Sequence, residues 1–172
     1  MSVWEKAIEF VLAYEGGWVC DINDPGGETN FGISKKAYPN EDIKAMTAER
    51  AKEIYKKDYW DLIGCSQLPG KWAVAVFDTA VNMGQKKAVR LLQSALQVTA
   101  DGIIGSVTIS ATHKSSEIAI AKFLALRAAE YVRIMDRLEG LKVYSFNWMF
   151  RLFKLANIVL EGEGLELKEP SA

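Results

Sequence analysis

SVWEKAIEFVLAYEGG, residues 2–17, predicts an amphipathic helix and decides the fold class. Ser2 and Glu5 have the spacing of a capping box, in which each side chain bonds the other residue's free backbone N–H at a helix start. The apolar residues then recur at i, i+3, i+4, i+7 and i+8, the pattern of a helix with one buried face, and Gly16 and Gly17 end it. This apolar stripe consists of Trp4, Ala7, Ile8, Val11 and Leu12.

Glu15 closes that stripe with a carboxyl group. It follows Trp4 by eleven residues, and eleven steps of ~100° return to within about 20° of the same direction. A carboxyl group on an apolar stripe loses hydration when it ionises, and this cost favours an acid that keeps its proton. We therefore interpret Glu15 as a candidate proton donor.

Helical periodicity continues along the rest of the chain. It predicts helices over about residues 47–60, 71–83, 86–98, 116–137 and 145–160. Strand signals are limited to a short hairpin around Thr29 to Ile33. We therefore predict an all-α or α-dominated fold.

The apolar periodicity also predicts which faces of the last two helices differ in polarity. In the helix over 116–137, the residues expected to face inward are Ile118, Ala121, Leu124, Ala125, Ala128 and Val132. The final helix has a polar side with Asn147, Arg151, Lys154 and Asn157, and an aromatic side with Phe146, Met149, Phe150 and Phe153. We expect Arg151 and Lys154 to form a solvated face, with a glycan contact as the alternative.

The composition is that of a globular protein of one domain's length. The 172 residues are 49% hydrophobic and 25% charged, which excludes a disordered or low-complexity chain. The 21 basic and 22 acidic residues give a net charge of -1, so the chain lacks the basic excess that binding to nucleic acid requires. We expect no nucleic-acid partner.

Further classes of protein are excluded by the cysteines, the single histidine and the N-terminal residues. Cys20 and Cys65 are too few for a disulfide framework, and His113 has no companions at metal-ligand spacing, so we expect free thiols, no metal and no cofactor. Glu5 and Glu9 interrupt the apolar stretch that a signal peptide needs, and no segment has the ~18 apolar residues of a membrane span. We expect synthesis in the cytoplasm, no membrane insertion and delivery to any outer target by another factor.

A polar, glycine-rich segment follows the first helix over residues 20–34. Its DPGG run at 24–27 has turn chemistry, because proline fixes φ and glycine allows positive φ. Cleavage of a glycosidic bond uses a proton donor and usually a second, ionised carboxylate that activates water. Asp24 is our first choice for that carboxylate, Asp21 is the second, and Thr29 is a candidate for holding the water. The alternative is that the segment is an ordinary loop.

Several short motifs resemble one glycosidase family. EGGW at 15–18, DPGGET at 24–29 and FGIS at 31–34 resemble the N-terminal signature of glycoside hydrolase family 108, the N-acetylmuramidases of phages and bacteria, once labelled secretion activators. The resemblance continues through IY at 54–55, YW at 59–60 and FDTAVNMG at 77–84. LQSAL at 92–96 and DGIIG at 101–105 resemble the peptidoglycan-binding segment that follows in this family. The order of Glu15, Asp24 and Thr29 also resembles the catalytic arrangement of phage-type lysozymes.

The resemblance implies a lysozyme-like helical fold and a cell-wall hydrolase. Glu15 carries over as the catalytic acid of a muramidase that cleaves the β-1,4 bond between N-acetylmuramic acid and N-acetylglucosamine. Residues 1–90 would be the catalytic segment and residues 91–172 the peptidoglycan-binding segment, packed together as one globular unit. The expected partner is the peptidoglycan glycan strand, bound by a monomer. An endolysin released through a holin-type pore, or a bacterial homologue exported by another route, is the implied setting.

Trp18 and Asn82 are the secondary candidates for sugar contact, with Asp21. Trp18, Trp60 and Trp72 are candidates for stacking on sugar rings, with core packing as the alternative. Asp78 and Asn82 lie one helical turn apart, so they either line a cleft or form a satisfied buried polar pair. The dipeptide at 101–102 is interpreted as a tight turn.

Two rival functions remain open from sequence. A lytic transglycosylase would use one acid and the sugar's own hydroxyl, which leaves Asp24 unnecessary. A non-catalytic protein that binds peptidoglycan or regulates secretion would make the arrangement around Glu15 accidental.

Overall fold

Helix α1 (Val3–Tyr14) begins at the predicted capping box. The Ser2 hydroxyl accepts from the Glu5 N–H at 3.2 Å, and the Glu5 carboxylate accepts from the Ser2 N–H at 2.6 Å. This is a computed structural model, and it describes residues 1–20, 27–138 and 144–161. The chain divides into one unit over Met1–Leu62 and a second that begins at Ile63.

A three-stranded antiparallel sheet follows α1. Its strands are β1 (Val19–Cys20), β2 (Glu28–Asn30) and β3 (Ile33–Ser34), in the order β1-β2-β3. The predicted hairpin is the β2–β3 pair, whereas β1 was not predicted. The side chain of Asn30 is buried and donates to the Ile43 carbonyl at 3.1 Å, which ties the hairpin to the loop that follows it.

Helix α2 (Ala48–Tyr55) completes the first unit. The Thr47 hydroxyl caps it by accepting from the Arg50 N–H at 3.2 Å. The helix continues as a π-helical segment over Lys56–Asp61, and Trp60 on this segment packs edge-on against Trp4 of α1 with ring centroids 5.3 Å apart. The buried side chains of this unit are Ala7, Ile8, Phe10, Val11, Ile33, Ile43, Met46, Ala51, Ile54, Tyr55 and Trp60.

The second unit is helical throughout its described residues. After a 3-10 turn (Cys65–Gln67) come α3 (Gly70–Met83), α4 (Gln85–Leu96), α5 (Ser106–Lys114), α6 (Glu117–Arg137) and α7 (Ser145–Ala156), the last continued by a π-helical segment (Asn157–Glu161). Helix α3 packs against α4, α4 against α6, and α6 against α7. Nine consecutive residues of α3, from Trp72 to Ala80, are buried, as expected for a central helix.

The connection between α4 and α5 contains the predicted tight turn. Gly102 has φ +87°, and the Asp101 carboxylate accepts from the Ile103 N–H at 2.9 Å. The buried Gln93 amide holds this turn by donating to Asp101 at 2.7 Å and accepting from the Gly102 N–H at 2.8 Å. Helix α5 was not predicted, because its sequence is rich in Ser and Thr and carries a weak apolar period.

A buried cluster of charges joins α3, α6 and α7. Asp78 is 1% exposed and pairs with Arg127 and with Arg151, whose Nε donates to it at 2.8 Å. Arg127 also donates to Thr79 at 3.1 Å and to the Tyr131 hydroxyl at 2.8 Å. Burial alone would raise the pKa of Asp78, but the charges of the two arginines and their hydrogen bonds hold it below its usual value.

This cluster corrects the prediction for α7. Arg151 was expected on a solvated face, yet it is buried, while Phe146 and Phe153 of the predicted aromatic side are more than half exposed. The reason is the carboxylate of Asp78, which provides a buried partner for Arg151 and so reverses the face of α7 that turns inward.

The inward face of α6 was also misassigned. Among the predicted inward residues, Ile118 and Val132 are exposed at 79% and 48%, and Leu124 alone is buried. The buried residues are Ile120, Phe123, Leu124, Arg127 and Tyr131. Counting only apolar residues cannot detect a buried face that contains an arginine and a tyrosine hydroxyl.

The boundary between the two compact units falls after Leu62. The division into a catalytic segment over 1–90 and a peptidoglycan-binding segment over 91–172 stays a prediction. Whether the two units unfold together stays a prediction.

We predict that Asp78→Asn destabilises the second unit by about 3–5 kcal/mol, because it leaves two guanidinium groups buried without their counter-charge. Urea unfolding followed by circular dichroism measures the loss. Since the folded-state pKa of Asp78 is depressed, its ionised form stabilises the fold above about pH 4, and this contribution is lost as the pH falls through the folded-state value. The difference between wild type and variant should therefore shrink in acid.

Glu117→Gln is the matched control for that experiment. It removes an exposed ion pair with Lys71 in the same unit, so the urea midpoint should stay close to that of wild type. Equal midpoints for Asp78→Asn and Glu117→Gln would contradict a stabilising role for the cluster.

Candidate active site

Glu15 occupies the C-cap position of α1. Its backbone N–H donates to the Val11 carbonyl at 3.2 Å, so the main chain still belongs to the last helical turn. Its side chain is half-buried, at the end of the stripe formed by Ala7, Ile8 and Val11. The predicted helix end and the predicted direction of Glu15 agree with the structure.

The turn between β2 and β3 lies against the Glu15 carboxyl group. Its two residues both have positive φ, +49° at Phe31 and +74° at Gly32, as in the two-residue turns that suit the twist of hairpins. A Cβ added to Gly32 would lie 2.6 Å from the Tyr55 hydroxyl and closer still to Glu15 Oε2. Glycine at position 32 is therefore required for both its φ and its space.

Tyr55 forms the other side of this contact. It is 2% exposed, and its hydroxyl donates to the Phe31 carbonyl at 2.9 Å. Tyr59, one turn later, packs on Tyr55 with ring centroids 5.5 Å apart. Burial raises the pKa of Tyr59, and the charges of Glu15 and Asp58 raise it further.

The structure brings two further predicted residues into the same unit as Glu15. Thr29 is half-buried at the centre of the sheet, paired with Val19 on one side and Ser34 on the other. Trp18 follows α1 and is 44% exposed, with the Lys44 ammonium 5.3 Å from the centre of its ring. Thr29 lies shortly before the turn at Phe31 and Gly32, and Trp18 lies shortly after Glu15.

The other predicted site residues lie elsewhere or outside the described residues. Asp21 and Asp24 fall in residues 21–26, which are outside the described ranges. Asn82 belongs to the second unit, where its side chain accepts from the Tyr131 hydroxyl at 2.7 Å. Asp78 is the centre of the buried cluster and not a surface residue of a cleft.

The three tryptophan candidates for sugar stacking differ in how far their side chains are exposed to solvent. Trp60 and Trp72 are buried, and the indole of Trp72 donates to Ser115 at 2.8 Å, so both pack in cores. Trp18 keeps an accessible ring face. Of these three, Trp18 is the one that a sugar can reach.

A surface groove of the first unit is lined mostly by charged side chains that pair with one another. Its volume is about 490 Å³, and its lining includes Tyr38, Arg50 and Asp58 but not Glu15. Arg50 pairs with Glu41 at 2.6 Å and Tyr38 donates to Asp58 at 3.0 Å, so these groups are engaged within the protein. Because these groups already bind one another and Glu15 does not line the groove, we do not assign the candidate active site to it.

Metal sites and membrane spans were sought in the same residues. Across 1–20, 27–138 and 144–161, no cluster of three or more His, Cys, Asp or Glu side chains has the arrangement of a metal site. Both cysteines are free thiols, Cys20 exposed and Cys65 buried. None of the helices within these ranges has the length and apolar character needed to cross a membrane.

Comparison with known proteins finds a matching family model. Residues 8–84 match the family model described as Glycosyl hydrolase 108, a range that runs from α1 through the end of α3 and contains Glu15, Gly32 and Tyr55. This part of the chain is therefore similar to glycosyl hydrolase family 108, as the resemblance of the sequence motifs predicted.

A solved structure shares the fold. The structure of SagA from Brucella abortus is 29% identical to this chain, with a TM-score of 0.78, and the alignment covers 92% of this chain and 94% of SagA. No curated protein sequence matches the chain. The chain therefore has the predicted α-dominated, lysozyme-like fold, with the small sheet added.

Three of the residues near Glu15 were missed as site residues. Tyr55 and Tyr59 entered the sequence analysis only as part of a motif, and Gly32 only as part of the signature. The spacing of four residues between the two tyrosines was the available signal, since it puts both rings on one helical face. Nothing in the local sequence indicates which carboxyl group that face meets.

We predict that Gly32→Ala reduces glycan hydrolysis by roughly 10²-fold, because the added methyl group must displace the Glu15 carboxyl or the Tyr55 hydroxyl. The control is Gly27→Ala, which has a similar φ of +70° but only the Lys35 side chain near its Cβ, at 3.9 Å. Both variants carry the cost of a left-handed alanine, about 1 kcal/mol. Turbidity assays at matched folded fraction compare them, and equal activities would show that strain alone, and not the contact, matters.

Proposed function

We propose that this protein hydrolyses the β-1,4 bond between N-acetylmuramic acid and N-acetylglucosamine in peptidoglycan, with Glu15 as the general acid. The observation that carries the proposal is the approach of the Glu15 carboxyl to the β2–β3 turn at Gly32, where the Tyr55 hydroxyl also lies, inside the segment that matches the glycosidase family. A carboxyl group with this degree of burial and these neighbours is suited to hold and deliver a proton.

The reaction needs one proton to be delivered and one to be taken up. Glu15 gives its proton to the glycosidic oxygen as the bond between that oxygen and the anomeric carbon breaks. A water molecule then adds its oxygen to the anomeric carbon and loses a proton to a second base. The proton taken from water replaces the one that Glu15 gave, so the sum of the steps is hydrolysis.

Asp24 is the proposed base, and Thr29 the residue that helps to position the water. Asp24 lies in the connection between β1 and β2, and Thr29 is held at the centre of the sheet by both neighbouring strands. A Thr29 hydroxyl held by the sheet is a suitable group for binding one water. Asp21 in the same connection is the second choice for the base.

Trp18 is the proposed sugar platform. Its exposed ring and its place directly after the helix that holds Glu15 support stacking against a pyranose, a contact that aromatic rings make with the apolar faces of sugars. Asp21 and Asn82 are the other proposed sugar contacts. The residues after 90 are proposed to bind peptidoglycan strands, in keeping with the motifs at 92–96 and 101–105.

The proposed setting is the bacterial cell wall. A protein with this activity serves as a phage endolysin that reaches peptidoglycan through a holin-type pore, or as a bacterial enzyme exported by another route. We propose that it acts as a monomer.

We predict that Glu15→Gln folds normally and loses at least 10²-fold in the rate of peptidoglycan clearance, because the amide cannot give a proton to the leaving oxygen. Glu9→Gln is the matched control, an exposed residue of the same helix, and should keep full activity. A zymogram and a turbidity assay on purified sacculi measure both. Near-wild-type clearance by a folded Glu15→Gln protein would refute the proposal.

The same digests separate the two rival functions. Mass spectrometry of the products distinguishes reducing ends from anhydro-muropeptides, and anhydro products would identify a lytic transglycosylase. Pelleting with sacculi without any loss of turbidity would identify a binding protein without catalysis.

We predict that Asp24→Asn lowers activity strongly at unchanged stability and that Asp21→Asn has a smaller effect. The connection between β1 and β2 is long enough to hold the base away from Glu15, and carboxyl separations of roughly 6.5–9.5 Å go with inversion, as against about 5 Å for retention. NMR of the first-formed reducing anomer checks this. An initial β product would mean retention, and full activity in Asp24→Asn would transfer the role to Asp21 or to no carboxylate.

A further inference from the structure

Trp18 and Lys44 form a pair of exposed side chains in the first unit. The Lys44 ammonium lies 5.3 Å from the centre of the Trp18 ring, and the tryptophan is 44% exposed. Lys44 is exposed as well. An ammonium group over an indole is attracted by the electrons of the ring face, but this attraction is weak where water reaches both groups. The pair therefore presents an aromatic face and a positive charge to solvent at one place.

The main chain at Lys44 is held in position by its neighbour. Ile43 is fully buried, and its carbonyl accepts from the buried side chain of Asn30 at 3.1 Å. Asn30 directly precedes the turn at residues 31–32, which lies against Glu15. The base of the Lys44 side chain is thus fixed relative to that turn, while its flexible four-carbon stem can carry the ammonium to another partner.

Trp18 is tied to the same turn and to the proposed acid. It follows Glu15 by three residues, and three residues span at most about 11 Å. The strand that follows Trp18 pairs with β2 at Val19 and Thr29, and β2 leads directly into the turn. A glycan strand bound at Glu15 can therefore reach the ring of Trp18.

The acidic residues next to Lys44 along the loop have partners of their own. Glu41 pairs with Arg50 at 2.6 Å, and the Asp42 carboxylate accepts from the Ala45 N–H at 3.0 Å. The ammonium of Lys44 instead lies over an aromatic ring. A pyranose that stacks on that ring face takes the place of the ammonium. The ammonium then needs another partner, and a carboxylate on the same sugar can be that partner.

The substrate proposed above carries such a carboxylate. N-acetylmuramic acid differs from N-acetylglucosamine by a lactyl ether, and this ether ends in a carboxyl group. In a bare glycan strand the carboxyl group is free and ionised. In intact peptidoglycan it is joined to the stem peptide, which has carboxylates of its own. Either source places a negative charge beside every second sugar.

We propose that Lys44 is a specificity-determining residue that distinguishes N-acetylmuramic acid from N-acetylglucosamine at the sugar position over Trp18. When the muramyl ring stacks on Trp18, the ammonium of Lys44 leaves the indole and binds the carboxylate of the lactyl group or of the stem peptide. This inference rests on the proposed function, because it adds the selection of one sugar to the proposed sugar platform.

Three matched tetrasaccharides test the proposal by calorimetric titration in the Glu15→Gln background. One contains N-acetylglucosamine alone, one alternates it with N-acetylmuramic acid that has a free lactyl carboxylate, and the third is the second with its stem peptides attached. Lys44→Gln should weaken binding of a muramyl ligand by roughly 2–5-fold, the range of an exposed ion pair, and leave the ligand without carboxylates unaffected. The loss should shrink at high salt, and Lys44→Arg should keep the preference.

The pattern of losses identifies the source of the carboxylate. A loss with the free lactyl ligand assigns the lactyl carboxylate, and a loss confined to the ligand with stem peptides assigns a stem carboxylate. An equal loss with all three ligands, or no loss with either muramyl ligand, would overturn the proposal. Failure of the proposed function has a different sign, which is clearance of peptidoglycan by Glu15→Gln.

Two control variants separate charge from stacking. Lys57→Gln removes a lysine charge from the charged groove, whose lining includes neither Glu15 nor Trp18, and it should leave all three affinities in place. Trp18→Leu should weaken all three ligands, because it removes the stacking surface that every sugar uses.

Proton NMR follows the Lys44 side chain directly. Its ε-methylene protons lie near the face of Trp18, so the ring current should shift them upfield, and Trp18→Leu should abolish this shift. Saturation with the preferred muramyl ligand should return the signals towards their ordinary position. Signals that stay shifted at saturation would refute the displacement of Lys44 from the ring.

Discussion

The absence of a side chain at Gly32 is the constraint on which the site depends. The β2–β3 turn can approach α1 and α2 this closely only because position 32 has no Cβ, and the positive φ of the turn excludes other residues on separate grounds. Three elements far apart in sequence thereby converge on one point: the end of α1 at Glu15, the turn itself and α2 at Tyr55. The small sheet is therefore part of the candidate active site, because its turn lies against Glu15.

The second unit is organised by a different kind of constraint. Asp78 and the two arginines bring charge into a helical core, where an ion that lacks a partner is strongly unfavourable. Arg127 reaches Asp78 from α6 and Arg151 reaches it from α7, so the cluster specifies which faces of those helices turn inward. Apolar packing alone would allow other rotations of α6 and α7, and the charge pairs exclude them.

The sequence predicts the features that depend on residues close together along the chain, and it does not predict those that depend on distant residues. The capping box, the stripe of α1 and the place of Glu15 depend on residues within a few turns of each other, and these predictions agree with the structure. The faces of α6 and α7 depend on Asp78, which is 49 and 73 residues away from its two arginines, and these predictions were wrong. The two-residue strand β1 forms only because β2 pairs with it, and so it has no signal of its own. The approach of Tyr55 to Glu15 is likewise a product of tertiary structure.

The proposed general acid, Glu15, must remain reachable by its substrate, and its position at the end of α1 allows this. Complete burial would favour the proton but exclude the sugar, whereas the C-cap position leaves the carboxyl half-exposed. The neighbours of the carboxyl are the β2–β3 turn at Gly32 and the Tyr55 hydroxyl, which limit where the carboxyl can lie. The strained turn serves the same end, because a few kcal/mol of local backbone strain persists where the surrounding structure fixes the geometry that function uses.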